Sequence, residues 1–412
     1  MIDPDSDAMT PAKLSCVGPL ATHINAFAAC LGGEGYTWKT VHDKCELVAK
    51  LSVWLYRRNL SQDVLEEGLL DHFHADRRRQ GHVRRGQVAT GHQLLRYLRD
   101  LGCIRVMPPR TDTTPLDSLT QDFERHLSSE RGLSPATLDN YLPVVRRFLM
   151  ERFESRPIQF DELRPVDIHR FIVRHAQTGS RRSAQLIVTA LRSFLRFLRQ
   201  RGAIATDLAG GVPGIANWRL SHLPKSLPPE QVERMLASCD RSTPVGERDY
   251  SILLILARLG LRAGEVVALT LDDLDWEQGE ILVRGKGQRL GRLPLPTDVG
   301  TALVDYLRHV RPRCSTRPVV IRMRAPLRGL VGPTAIDCVV RRALKRAGLN
   351  PEFKGAHLLR HSLATNLLHR GASLTEIGQL LRHSQPTTTQ IYAKVDIAAL
   401  RAIGLPWPGA VS

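Results

Sequence analysis

The chain is poor in the features that mark several protein classes. Its seven cysteines (16, 30, 45, 103, 239, 314 and 338) are odd in number, widely spaced and without a CxxC pair. That excludes a disulfide framework and a cysteine zinc site, and it fits reduced thiols in a cytoplasmic protein. The longest mainly apolar run, near residues 251–257, falls far short of the ~18 residues a membrane span needs, so no membrane partner is expected. The opening Met-Ile-Asp-Pro-Asp-Ser-Asp is acidic and lacks the apolar core of a signal peptide. No dense acidic cluster suited to a pair of Mg²⁺ ions is evident. Asp272, Asp273 and Asp275 follow a helix and read as a turn.

What is abundant is arginine. Lys and Arg total 58 against 41 acidic residues, a net charge of +17. A basic balance of this size points to a polyanionic partner, most simply nucleic acid. The excess is uneven. Residues 1–113 hold 15 basic and 13 acidic residues, 114–215 hold 15 and 11, and 225–412 hold 27 and 17. The C-terminal part is therefore the expected seat of phosphate contacts.

Punctuation by proline and glycine divides the chain. A proline- and threonine-rich break at 107–115 ends an N-terminal helical extension, residues 1–113. In it, helices are expected over 38–58, from a cap at Ser61, and over 90–101. Residues 114–215 read as four helices near 116–130, 135–153, 165–175 and 181–201. The last is amphipathic and carries six arginines and no acid, so Arg181, Arg182, Arg192 and Arg196 are candidate DNA contacts. Residues 216–228 are a linker. Residues 229–412 mix helices with a hairpin, Glu280–Val283 and 293–295, around Gly285-Lys286-Gly287. The expected fold is mainly α with a small β-hairpin or sheet in the C-terminal domain.

That domain holds polar residues in unusual company. Arg262 follows an apolar run, and Glu265 is placed to orient it, as an anion site or as a plain ion pair. His357 and Arg360 are i, i+3 at the start of a helix, whose positive end also suits an anion. His361 reads as a packing or supporting histidine. His383 ends an apolar helix and Tyr392 follows nine residues later. Together these side chains supply the parts for phosphodiester exchange without a metal: arginines for the non-bridging oxygens, histidines and a lysine for protons, a phenol to attack phosphorus.

In order and spacing, four blocks resemble the tyrosine recombinase, or phage integrase, family. They are Leu259-Gly-Leu-Arg262-Ala-Gly-Glu265, Gly285-Lys286-Gly287, His357-Leu-Leu-Arg360-His361, and Leu380-Leu-Arg-His383 with Tyr392. The four-helix segment is similar to that family's core-binding domain. The resemblance implies a helical core-binding domain, an α+β catalytic domain and an extra helical module for arm-type DNA or a partner. It implies site-specific strand cleavage and rejoining through a 3′-phosphotyrosyl link formed by Tyr392. Arg262 and Arg360 would clamp the phosphate, Lys286 would protonate the 5′-oxygen, His357 would serve as acid/base partner, and His383 would donate to the phosphate. No cofactor and no metal are implied. The implied partners are double-stranded DNA carrying specific sites and further copies of the chain, as a homo-tetramer on two sites, with possible accessory recombinases. The implied setting is a nucleoid-associated integrase or transposase of a mobile element. Alternatives are a chromosome-resolving recombinase, a non-cleaving DNA-binding regulator and a type IB topoisomerase. The chain departs from the family where Arg382 replaces a usual glycine and Ala393-Lys394 replaces Thr-His.

Overall fold

Helix starts in this chain are set by proline at the first helical position and by hydroxyl or carboxylate caps. Thr114, Ser180, Thr243 and Ser373 each accept a backbone N–H of the helix that follows. The computed structural model describes residues 17–81, 86–104, 114–154, 156–177, 179–215, 225–285, 289–383 and 385–395. Residues 107–113 of the expected break at 107–115, residues 216–224 of the expected linker at 216–228, and Lys286 lie outside the described residues.

The chain forms two compact units, one of residues 106–219 and the other of 1–105 with 220–412. The first contains α5 (Pro115–Arg125), α6 (Pro135–Phe153), α7 (Pro165–Gln177) and α8 (Arg181–Gln200), close to the four expected helices. Their core is aromatic: Phe123, Phe148, Phe171, Phe194 and Phe197 pack edge-on or tilted at 5–6 Å between centroids. At about 100° per residue, Arg181, Arg182 and Arg196 share the exposed stripe of α8. Arg192 lies on the same side but is half-buried, and its Nη2 donates to the Val212 carbonyl at 2.7 Å. One of its five N–H donors is thus engaged in holding the chain after α8.

In the second unit the N-terminal segment contains α1 (Ile24–Gly33), α2 (Trp38–Arg57), α3 (Glu67–Arg79) and α4 (Gln87–Asp100), around their own apolar core. The expected cap at Ser61 is not made: a short 3-10 turn, Gln62–Val64, intervenes and α3 starts at Glu67. The Leu327 N–H donates to the Glu34 carbonyl at 2.8 Å, linking this segment to the C-terminal part.

The C-terminal part runs α9 (Pro229–Ala237), α10 (Pro244–Leu259), α11 (Ala263–Ala268), β1 (Leu274–Asp275), β2 (Glu280–Arg284), β3 (Leu290–Pro294), α12 (Thr297–Asp305), α13 (Pro333–Arg346), α14 (Ala356–His369), α15 (Leu374–Leu380) and a 3-10 segment, Pro386–Val395. The sheet is antiparallel in the order β1-β2-β3. Ile281 faces Leu293 across it, and Val283 and Ile281 point the same way into the core, as the two-residue period requires. Strands start earlier than expected on the second arm, at Leu290. α10 is buried almost all round, with Ile252 to Leu256 at 0–1% exposure. At roughly 1.5–3 kcal/mol per fully buried aliphatic side chain, this helix is the anchor of the domain. α14 packs against it and is likewise buried on most sides. No described helix is long and apolar enough to cross a membrane.

Candidate active site

Four helix termini converge to make the site. α10 stops at Gly260, which turns left-handed at φ 59°, and a Cβ there would lie 2.8 Å from Leu381. Arg262 therefore does not close α10, as its place after the apolar run suggested. It is the N-cap of α11. Glu265, at the third position of that helix, turns back to accept the Arg262 N–H at 2.9 Å and its Nη1 at 2.6 Å. The helix end thus fixes the carboxylate, and the carboxylate fixes the guanidinium. Burial raises the Glu265 carboxyl, but the bonds from Arg262 and the charge of Arg382 outweigh it and hold the group below its ordinary range.

α14 begins after Gly355, whose missing side chain leaves room for Asp337 of α13. Asp337 Oδ1 accepts the Ala356 N–H at 2.9 Å, so a carboxylate from another helix caps this one. His357 lies exposed on the first turn, and Arg360 is buried at 3% exposure on the next residues inward. Arg360 Nη1 donates to the Gly260 carbonyl and Nη2 to the Leu381 carbonyl. These are the terminal carbonyls of α10 and α15, the negative ends of two helices. Burial, with Arg262 and Arg382 nearby, pushes Arg360 down to about 10, still cationic at neutral pH.

Tyr392 sits in the 3-10 segment with 1% of its surface exposed. Its Oη lies 2.8 Å from His361 Nδ1. Burial, then the neighbouring His357 and Arg360, lower His361 to about 4. The ring is neutral, and with its proton on Nε2 it accepts the phenol's hydrogen bond. Burial raises Tyr392 to about 12 against the pull of Arg360 and Arg262. His383 Nδ1 is 2.8 Å from Thr389 Oγ1, and burial followed by Arg360 and Arg262 lowers it to about 4. The imidazole is a neutral hydrogen-bonding group at physiological pH.

The structure thus brings Arg262, Arg360, His383 and Tyr392 together, with His357 at the open edge, while Lys286 lies outside the described residues. Sequence reasoning placed His361 as a supporting residue, and it supports the phenol directly. It did not find Asp337, Thr389 or the second partner of Glu265, Arg382, whose Nη2 donates to Glu265 Oε2 at 2.8 Å. Glu265 and Arg382 are 117 positions apart, so no local pattern shows the pair. Among the described residues no cluster of His, Cys, Asp or Glu is arranged to hold a metal ion. Two guanidiniums near enough to act electrostatically on one buried phenol can bind a phosphodiester and stabilise the extra charge of a five-coordinate phosphorus.

The sequence profile of the phage integrase family matches residues 225–398, and that of the phage integrase N-terminal SAM-like domain matches 120–202. The chain is 44% identical over 398 residues to the putative integrase/recombinase y4rA of Sinorhizobium fredii, covering 95% of each. It is 33% identical over 293 residues to tyrosine recombinase XerD of Listeria innocua, covering 70% of this chain and 97% of the relative. The fold is shared with the XerH recombinase in its post-cleavage complex with difH, at TM-score 0.56 and 22% identity, over 69% of this chain and 83% of that one. A lambda integrase tetramer bound to a Holliday junction matches at TM-score 0.51 and 20% identity, over 76% and 87%. Identity of 44% over 95% of the chain with one relative and 33% over 70% with another makes the chain a member of the phage integrase family, a tyrosine-type site-specific DNA recombinase.

Proposed function

We propose that Tyr392 is the nucleophile and that the enzyme serves as the integrase or transposase of a mobile element. The phenol oxygen attacks the scissile phosphorus, the P–O5′ bond breaks, and the DNA 3′ end stays bound as a phosphotyrosine. Lys286 protonates the departing 5′-oxygen, and His357 handles the phenol proton. Arg262 and Arg360 hold the non-bridging oxygens, and His383 donates to one of them. The ester energy is conserved in the link, so a new 5′-hydroxyl can reverse the step without ATP.

The observation that carries the assignment is the setting of one hydroxyl. Tyr392 Oη feels both Arg360 and Arg262 and rests on a neutral imidazole 2.8 Å away. The mobile-element role is supported by the span of similarity. The integrase/recombinase relative matches 95% of this chain, whereas the XerD relative matches 70%. Residues 1–113 then act as an added module for arm-type DNA or a partner protein, 114–215 as the core-binding domain and 229–412 as the catalytic domain. The working assembly is a homo-tetramer on two DNA sites, after the tetramer of lambda integrase.

The test is a nicked duplex carrying the protein's own recombination site. Tyr392→Phe should bind it within about threefold of the parent affinity and give no covalent adduct. An adduct formed by that variant assigns the nucleophile to another residue. Mapping the ends of the DNA segment joined in cells tests the element role: ends that flank the gene support it, and a single chromosomal site opposes it.

A further inference from the structure

Arg382 stands in a backbone position that disfavours it. α15 ends in a turn where the Arg382 N–H bonds the Gln379 carbonyl and the His383 N–H bonds the Gly378 carbonyl, each at 2.9 Å. This is the closing turn of a helix whose first outside residue is left-handed and usually glycine. Arg382 is there at φ 52°. A side chain retained against that strain is expected to do something a hydrogen atom cannot.

Its course shows what. The stem passes over Gly291 of β3, where a Cβ would come within 2.9 Å of Arg382 Cδ. The side chain is 15% exposed, with Nη1 on the Leu380 carbonyl at 3.1 Å and Nη2 on Glu265 Oε2 at 2.8 Å. The other oxygen of Glu265 holds Arg262 Nη1 at 2.6 Å. One carboxylate thus lies between two guanidiniums. Alone, it would orient Arg262 and at the same time cancel the charge that Arg262 offers to an anion. Arg382 on its far oxygen removes that cancellation. The pocket then holds three guanidiniums, Arg262, Arg360 and Arg382, against one carboxylate.

We propose that Arg382 is a positioning residue for the cleavage reaction: it neutralises Glu265, so that Arg262 is held in place and keeps its charge for the scissile phosphate. This rests on the assignment of Arg262 and Arg360 as the phosphate clamp. Arg382 does not touch the DNA; it acts through Glu265.

The experiment is a cycle of four proteins, the parent, Arg382→Gly, Glu265→Gln and the double variant, with Arg262→Ala and Arg382→Lys alongside. Each is given the nicked site-bearing duplex, and the first-order rate of covalent adduct formation is read separately from DNA affinity. Glycine suits the left-handed turn, so Arg382→Gly should unfold at the parent temperature or above it. Its DNA affinity should stay within about threefold of the parent, while its cleavage rate falls by about 10- to 100-fold. Arg382→Lys should recover most of that loss. With the carboxylate neutralised by Glu265→Gln, removing Arg382 should cost less than about threefold further. If Glu265→Gln cleaves too slowly to measure, the four proteins are compared by the sodium phosphate concentration needed to raise their unfolding temperature, with the same pattern expected. Equal losses in both backgrounds, or no loss in either, overturn the proposal. If Arg262→Ala is inactive while Arg382→Gly is normal, only this inference falls. If Arg262→Ala cleaves normally, the phosphate-clamp reading falls with it.

Discussion

Arg360→Met tests whether the buried guanidinium serves the fold or an anion. Methionine keeps a long apolar stem and removes the charge. Two carbonyls, of Gly260 and Leu381, would lose a charged donor. Hydrogen bonds of that kind contribute roughly 1.5–3 kcal/mol each, so about 3–6 kcal/mol is lost. Against this stands the cost of keeping the cation in its site. A fall in pKa from 12.5 to about 10 corresponds to roughly 3 kcal/mol of opposition to the charged form, which the substitution relieves. The net loss of stability should therefore be small, about 0–3 kcal/mol, for a residue that bridges three helices. An anion bound in the pocket adds a second difference. Ligand at about 100 times its dissociation constant stabilises a folded protein by about 2.7 kcal/mol, and only the parent should show that gain. Urea unfolding followed by tryptophan fluorescence, with and without sodium phosphate, measures both quantities. A loss above about 5 kcal/mol in the absence of phosphate would refute the balance between the two hydrogen bonds and the cost of the buried charge. An equal gain from phosphate in parent and variant would refute the anion site.

Asp337→Ala frees the Ala356 N–H at the start of the helix that carries His357 and Arg360. It should lower unfolding stability by about 1 kcal/mol and slow adduct formation, and an unchanged urea midpoint would show that water replaces the carboxylate without cost. His361 and His383 titrate near 4 when folded against 6.5 when unfolded, so the unfolded chain binds more protons between those values. Stability should be full above about pH 6.5 and fall as the pH drops towards 4, and urea midpoints that stay flat from pH 7 to 5 would contradict the neutral, enclosed histidines. Replacing Arg181, Arg182 and Arg196 by Gln should reduce the log–log salt slope of DNA binding by about 0.9 per lost phosphate contact, and an unaltered slope would remove that stripe from the interface.

The parts of this fold that were legible in the sequence are those governed by short-range rules. Ser134-Pro135 and Ser180 mark the starts of α6 and α8, and the glycine-flanked apolar strands mark the hairpin. His357 and Arg360 could be paired because a helix puts i and i+3 on one face. α1 has a weak signal in the sequence, although Ile24, Phe27 and Leu31 lie at helical spacing and are buried. Its alanines and paired glycines blur the polar side that makes such a pattern visible. Arg262 was expected at the end of a helix because nothing local announces that Gly260 would take a left-handed turn. Arg192 shares its stripe with Arg181 and Arg196, and only the fold of the chain after α8 shows that the Val212 carbonyl accepts from it. The partners that tune the site, Asp337 for α14, Thr389 for His383 and Arg382 for Glu265, meet by tertiary packing. Their residue types carry no signal until the chain is folded.

The enclosure of Tyr392 has a consequence for how such an enzyme can be safe in a cell full of DNA. The phenol ring is 1% exposed as a residue, so it meets almost no bulk water. The ring packs in an apolar socket formed by Ala364, Leu368, Ile377 and Leu381. Water is shut out with it, so the phenol keeps its proton until a phosphate and a base meet it in the same enclosure.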